Sequence, residues 1–124
     1  MEIPLPLGVE FTDKDGHIRK RTRTHWWLTD DDLTYRDLAM VHSDIIEQIP
    51  HDPVPPHLQP GYDDLKPLFI GHYWMSGKPH LISKHIACLD WSIAASDNPK
   101  AKLCAYRWNG ESELSAENMV WVER

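Results

Sequence analysis

Few residues of this chain combine a reactive side chain with a spacing that gives it a task. Gly71-His72 follows directly on the apolar run Leu68-Phe-Ile70. A short buried strand ending in glycine delivers the next side chain to the sheet's edge, where active sites collect. An imidazole there is well placed to bind a metal, with a structural or partner-facing histidine as the competing reading. Asp15-Gly16-His17 spells D-x-H, but it lies in a D-G hairpin turn with a basic strand behind it, so it is read as a turn. Arg19, Lys20, Arg21 and Arg23 stand beside Trp26-Trp27, a pairing of cations and indoles that suits nucleic acid. The formal net charge of -6 and the Asp30 to Asp32 run that follows favour a solvated hairpin face instead. Cys88 and Cys104 have no C-x-x-C partner and no histidine at ligand spacing; they read as small buried thiols, with a cross-strand disulfide as the alternative. His85 and Cys88 lie three apart on one strand and point to opposite sides, which excludes a Cys-His nucleophile. There is no G-x-S-x-G, phosphate loop, H-E-x-x-H or dinucleotide fingerprint.

The elements that position these residues are short. The chain has 124 residues, 41% hydrophobic and 26% charged, the size and balance of one soluble domain with one core. The longest apolar runs are a few residues, too short for a membrane span, and disorder is excluded by the same composition. The N-terminus has no basic n-region and no uninterrupted apolar h-region, so a cytoplasmic location is expected. Six of the ten prolines fall between Pro50 and Pro67, where missing N–H groups and fixed φ forbid a regular helix or a central strand. This connector (50–67) divides a hairpin-plus-helix segment (1–49) from a β-rich segment (68–124). In the first, Gly8 to Thr12 and His17 to Leu28 flank Asp13-Lys-Asp-Gly16 and predict a long hairpin whose second strand has a basic face. Thr34-Tyr-Arg-Asp37 has capping-box form, and Leu38, Val41, Ile45 and Ile49 recur at helical spacing, so a helix is expected from about Tyr35 to Gln48. The last segment predicts strands at Leu68–Ile70, Ile86–Leu89, Leu103–Trp108 and Met119–Val122. Asn109-Gly110 predicts a tight turn between Ala105–Trp108 and Glu111–Leu114. The class expected is α+β, mostly antiparallel or mixed β with one main helix.

The segments L68-F-I-G-H-Y-W74, H85-I-A-C-L-D-W-S92 and K102-L-C-A-Y-R-W-N-G-E111, in that order and spacing, resemble the C-terminal part of calcineurin-like metallophosphoesterases. That group includes serine/threonine protein phosphatases and diadenosine tetraphosphatases. In the family a late apolar strand ends in G-H, and strands with C-L-D and A-Y-R-W-D-G steps follow. The hairpin with Trp26-Trp27 is similar to the region that precedes them in a bacterial subgroup.

The resemblance implies half of a two-sheet sandwich and two-metal hydrolysis of a phosphoester or phosphoanhydride, with a pair of manganese, iron or zinc ions holding a bridging hydroxide. His72 would be one metal ligand. Position 74 is Trp where the family often has a second histidine, so Tyr73 and Trp74 would line the substrate cleft or pack its rim. Asp90 would support the turn below the site from behind the ligands, and Arg21 and Arg23 would meet a polyanionic substrate. The early D-x-H at a strand end, the G-D step and the N-H-[DE] motif of the family are not found; Asn98, Asn109 and Asn118 all fall after His72. One histidine cannot hold two cations that want five or six ligands each. The expectation is therefore the C-terminal fragment of a longer phosphatase, inactive alone, acting on a phosphorylated small molecule or a phosphoprotein. Its partners would be an N-terminal half or a second copy, with no membrane and no nucleic acid. The alternative is a non-catalytic interaction module that self-associates or docks on a partner.

Overall fold

The computed structural model describes residues 1–59, 61–95 and 97–124. It is mostly strand with little helix, an α+β arrangement, in two compact units, Met1–Asp63 and Asp64–Arg124. Among the described residues no helix is long and apolar enough to cross a membrane.

In the first unit β1 (Glu2–Pro4), β2 (Phe11–Thr12), β3 (Ile18–Arg19) and β4 (Arg21–Arg23) form two small antiparallel pairs. The Asp13–Gly16 turn closes β2 on β3 with Thr12 opposite Ile18. The long hairpin expected from the sequence is corrected at Lys20. Its second strand divides there, and β4 pairs with β1 instead, Ile3 opposite Thr22. The physical reason is burial: Ile3 and Leu5 enter the core, and their strand takes the edge that a longer β2 would have used. Thr22 and Thr24 turn inward, whereas Ile18 stays exposed.

The helix is also shorter than the periodicity implies. The α-helix α1 covers Tyr35–Leu38 only. Its N-terminus is the capping box read from the sequence: Thr34 Oγ1 accepts from the Asp37 N–H, and the Asp37 carboxylate accepts from the Thr34 N–H, a device worth about 1 kcal/mol. After Leu38 the backbone is drawn into a ladder with the end of β4, because the His25 N–H donates to the Leu38 carbonyl and the Met40 N–H to the Arg23 carbonyl. A 3-10 turn, Ile46–Gln48, replaces the later helical turns. Leu38, Ile45 and Ile49 are nevertheless buried, so the apolar spacing is satisfied by a broken path. The proline-rich segment winds over the N-terminus of α1: the Tyr35 and Arg36 N–H groups donate to the Asp52 and Pro50 carbonyls, and Val54 is buried in the core. The Arg36 guanidinium donates to the Ile49 and Glu47 carbonyls and closes this loop.

In the second unit β5 (Leu68–Ile70) runs parallel to β6 (Ile86–Cys88), so the segment 71–85 is a crossover. The strands β7 (Asp90–Trp91), β8 (Lys102–Tyr106) and β9 (Met119–Glu123) form an antiparallel sheet in that order. Ala87, Trp91, Cys104, Leu114 and Met119 make the core. The hairpin expected at Asn109-Gly110 is corrected: β8 pairs with Met119–Glu123, not with Glu111–Leu114. Gly110 does adopt the left-handed φ of +86° that the N-G step implies. The Glu111 carboxylate organises the rest, accepting from the Tyr106 hydroxyl at 2.6 Å, the Asn109 N–H at 2.7 Å and the Asn118 side-chain amide at 3.3 Å. These donors hold its pKa below the ordinary 4.5, the Tyr106 hydroxyl most of all.

Candidate functional site

The arrangement with the most chemical content lies at the C-terminal end of β5, which is not the buried strand expected from its sequence: Leu68 and Phe69 are exposed and Ile70 is half-buried, because β5 pairs with β6 alone. Ile70 is tied to the following elements by the Leu89 N–H, which donates to its carbonyl. The chain then turns sharply, with His72 at φ +65° and Trp74 at φ +51°. Left-handed backbone places Cβ against the following carbonyl and costs an L-residue about 1–2 kcal/mol. A bulky residue such as Trp adopts it only where the surroundings impose it.

Asp90 imposes it. Its Oδ2 accepts from the Trp74 N–H at 3.3 Å, and its backbone carbonyl accepts from the Met75 N–H at 3.0 Å. Its other oxygen, Oδ1, accepts from the Ser92 N–H at 3.1 Å, and the Ser92 hydroxyl reaches back to the Met75 carbonyl at 2.9 Å. Ser92 is itself left-handed, at φ +66°. One carboxylate therefore fixes the turn after β5 and the turn after β7. Beneath them lies the Cys88 thiol, pushed up by burial and pulled partly back by the Asp90 and Tyr73 backbone.

The His72 side chain is exposed, Tyr73 is half-buried and Trp74 is 49% exposed. The His72 and Trp74 rings meet edge to face with centroids 6.5 Å apart. The loop thus presents an imidazole with an indole beside it on a rigid base, a donor that can hold a cation and a flat wall that can flank a ligand.

Arg21 and Arg23 lie on β4, in the other unit. Arg21 sits against Glu2, its Nε 3.8 Å from the carboxylate, and Arg23 is half-buried. Trp26 packs edge-on against Trp27 and Tyr62, with centroids 5.6 and 5.2 Å away. These indoles pack edge to face on their own neighbours.

Among the described residues, the three-ligand group close enough to hold a metal is Asp13, Asp15 and His17, on the β2–β3 turn. Its central carboxylate is already committed. Asp13 accepts from the Asp15 and His17 N–H groups at 3.0 and 2.9 Å and from the Arg19 Nε at 2.8 Å, and the Arg19 hydrogen bond holds its pKa below the ordinary 3.8. That is the chemistry of a closed turn. Both cysteines are free and buried.

Sequence reasoning missed two features. The left-handed conformation falls on His72, Trp74 and Ser92, while Gly71 itself is not left-handed. No residue type signals that. A groove lined by Lys78, Pro79, His80, Ala116, Glu117, Met119 and Trp121 joins two stretches far apart in the chain, and only the placement of β9 brings them together. Comparison with family models, with curated proteins and with solved structures finds no match to this chain.

Proposed function

We propose that this chain is the C-terminal portion of a two-metal phosphoesterase, to which it contributes His72 as one imidazole ligand. The observation that supports this reading is the His72 turn: an exposed imidazole held in costly left-handed backbone, at the carboxyl end of a strand in a parallel pair, by a carboxylate dedicated to the turn. Strain of this kind concentrates where a side chain must point in one direction. The donor set on this chain does not complete the site, since His72 belongs to no three-ligand group among the described residues. The remaining ligands therefore come from outside it. When bound, such a pair of ions supplies a hydroxide nucleophile and neutralises the phosphate. In this reading His72 holds one ion, Asp90 keeps the imidazole aimed, and Trp74 flanks the leaving group. The substrate class is a phosphomonoester or phosphoanhydride.

The test begins with the coding sequence that runs into Met1 in the same frame, which should encode D-x-H, G-D and N-H-[DE]. The full polypeptide should hydrolyse p-nitrophenyl phosphate with Mn²⁺, and His72→Ala should lower turnover by about 100-fold or more. An upstream stop codon with none of these motifs, or a full-length His72→Ala enzyme with unchanged turnover, sinks the proposal.

One observation favours a second reading, a non-catalytic module that pairs with another copy of itself. Leu103 and Val122 are cross-strand partners on the outer face of β8 and β9, and they are 58% and 63% exposed. Lys102, on the opposite face of β8, is only 8% exposed, its ammonium donating to the Lys100 carbonyl. Sedimentation should then show a dimer that Leu103→Glu dissociates. A monomer at all concentrations excludes it.

A further inference from the structure

The groove between residues 78–80 and 116–121 has no role in the reading above, and its walls are chemically specific. It is open to solvent and has a volume of about 610 Å³, within the roughly 300–1,000 Å³ of small-molecule sites. Its apolar surface comes from Pro79 and Met119, both buried, together with Ala116 and the half-buried Trp121. Trp121 is held in the β8–β9 ladder opposite Cys104, so its indole is placed by backbone pairing.

One wall is rigid for a further reason. The His80 ring stands edge-on to Trp91, with centroids 5.2 Å apart at 71°. Trp91 is buried, and its indole N–H is spent on the Cys88 carbonyl at 2.9 Å. The His80 Nδ1 lies 2.9 Å from the Lys78 carbonyl. A carbonyl only accepts, so Nδ1 carries the hydrogen and Nε2 is left for something else.

Two donors in the groove remain unspent among the described residues. The Lys78 ammonium has no carboxylate within ion-pair distance, and the Trp121 indole N–H has no acceptor. Glu117, also in the lining, has no cation within ion-pair distance either. An anion is therefore drawn to Lys78 and repelled by Glu117, which orients a ligand whose other half is apolar.

We propose that this groove binds an organic oxyanion with an apolar, planar body: the oxyanion on Lys78 and the Trp121 N–H, the body over Met119, Pro79 and the Trp121 face. A phosphomonoester and a carboxylate share this chemistry, and the experiment separates them. His72 is not in the lining, so the test is run without metal and stands or falls independently of the phosphoesterase reading.

The experiment is a metal-free ¹H–¹⁵N titration of the full chain, following the Trp121 indole N–H. The probes are phenyl phosphate, benzoate and inorganic phosphate. The Trp121 resonance should shift saturably with phenyl phosphate, with benzoate, or with both; phenyl phosphate alone identifies a phosphomonoester site. Inorganic phosphate should bind about tenfold more weakly, because it lacks the body. Lys78→Met, a change at an exposed position, should weaken binding by about fivefold or more, and Lys78→Arg should retain it. Glu117→Gln should tighten binding by removing the repulsion. The proposal is overturned by a Trp121 signal that neither aromatic anion moves, by inorganic phosphate binding as well as phenyl phosphate, or by a folded Lys78→Met chain that binds like the parent.

Discussion

Replacing His72 by glycine should make the chain more stable than replacing it by alanine, and the size of the difference follows from the backbone. At φ +65° an L-residue carries about 1–2 kcal/mol that glycine does not. Glycine loses more freedom on folding, which returns about 0.5–1 kcal/mol to the other side. Both variants delete the imidazole and whatever it touches, so that loss cancels when the two are compared with each other. At the middle of both ranges the net expectation is His72→Gly above His72→Ala by about 0.75 kcal/mol. In urea that is a midpoint difference of about half a molar, given a slope of roughly 1–3 kcal/mol per molar. Equal midpoints, or alanine above glycine, would show that the turn is not strained, and would remove the observation on which the metal-ligand reading rests. On the phosphoesterase reading proposed above, both variants should lose turnover alike in the full polypeptide, so stability and activity would part company at one position.

Asp90→Ala removes acceptors from two backbone amides at about 1 kcal/mol each, and should cost about 2 kcal/mol while Asp90→Asn costs less. Hydrogen exchange should speed up at Trp74 and Ser92 specifically, and unchanged protection there would refute the clamp. Burial pushes the His25 imidazole below its ordinary 6.5, so the folded state resists protonation more than the unfolded chain does. That contribution is complete above 6.5 and is lost as pH falls below it; a urea midpoint that does not drop on acidification through this range, or that drops equally in His25→Asn, contradicts it. Burial likewise raises both thiols, so Cys88 and Cys104 should resist iodoacetamide in the folded chain and react on unfolding. Rapid native-state alkylation would exclude the buried placement. The lowered Glu111 carboxyl stabilises the 107–118 turn above the ordinary 4.5 and ceases to as pH falls through its folded value. Tyr106→Phe should shift that loss to higher pH in a denaturation series, and an unchanged profile would refute the assignment.

Much of this structure is written locally. The capping box at Thr34 and Asp37 and the turns at Gly16 and Gly110 depend on contacts within a few residues, so residue type alone places them, whereas the strands at Leu68–Ile70 and Ile86–Cys88 are marked by short apolar runs but exist only as partners of each other. Partner choice is different. Whether β4 pairs with β2 or β1, whether α1 continues past Leu38, and whether β8 takes Glu111–Leu114 or Met119–Glu123 are settled by which arrangement buries Ile3, Ile49, Leu114 and Met119. That competition sums over distant residues and leaves no mark on any short window.

The same division runs through the candidate site. The sequence by itself determined that an imidazole would stand at the end of an apolar strand, because Leu68-Phe-Ile-Gly-His allows little else. It placed Asp90 at the end of the strand begun at Ile86, whereas that strand stops at Cys88 and Asp90 opens β7. Only the tertiary structure decided that Asp90 reaches across to the Trp74 and Ser92 amides, that the strain falls on His72 and Trp74 with Gly71 left ordinary, and that Lys78, His80 and Trp121 share a groove. Local rules act through φ and ψ of neighbouring residues, whereas a hydrogen bond between residues 74 and 90 exists only once two crossing segments have paid the entropy of meeting.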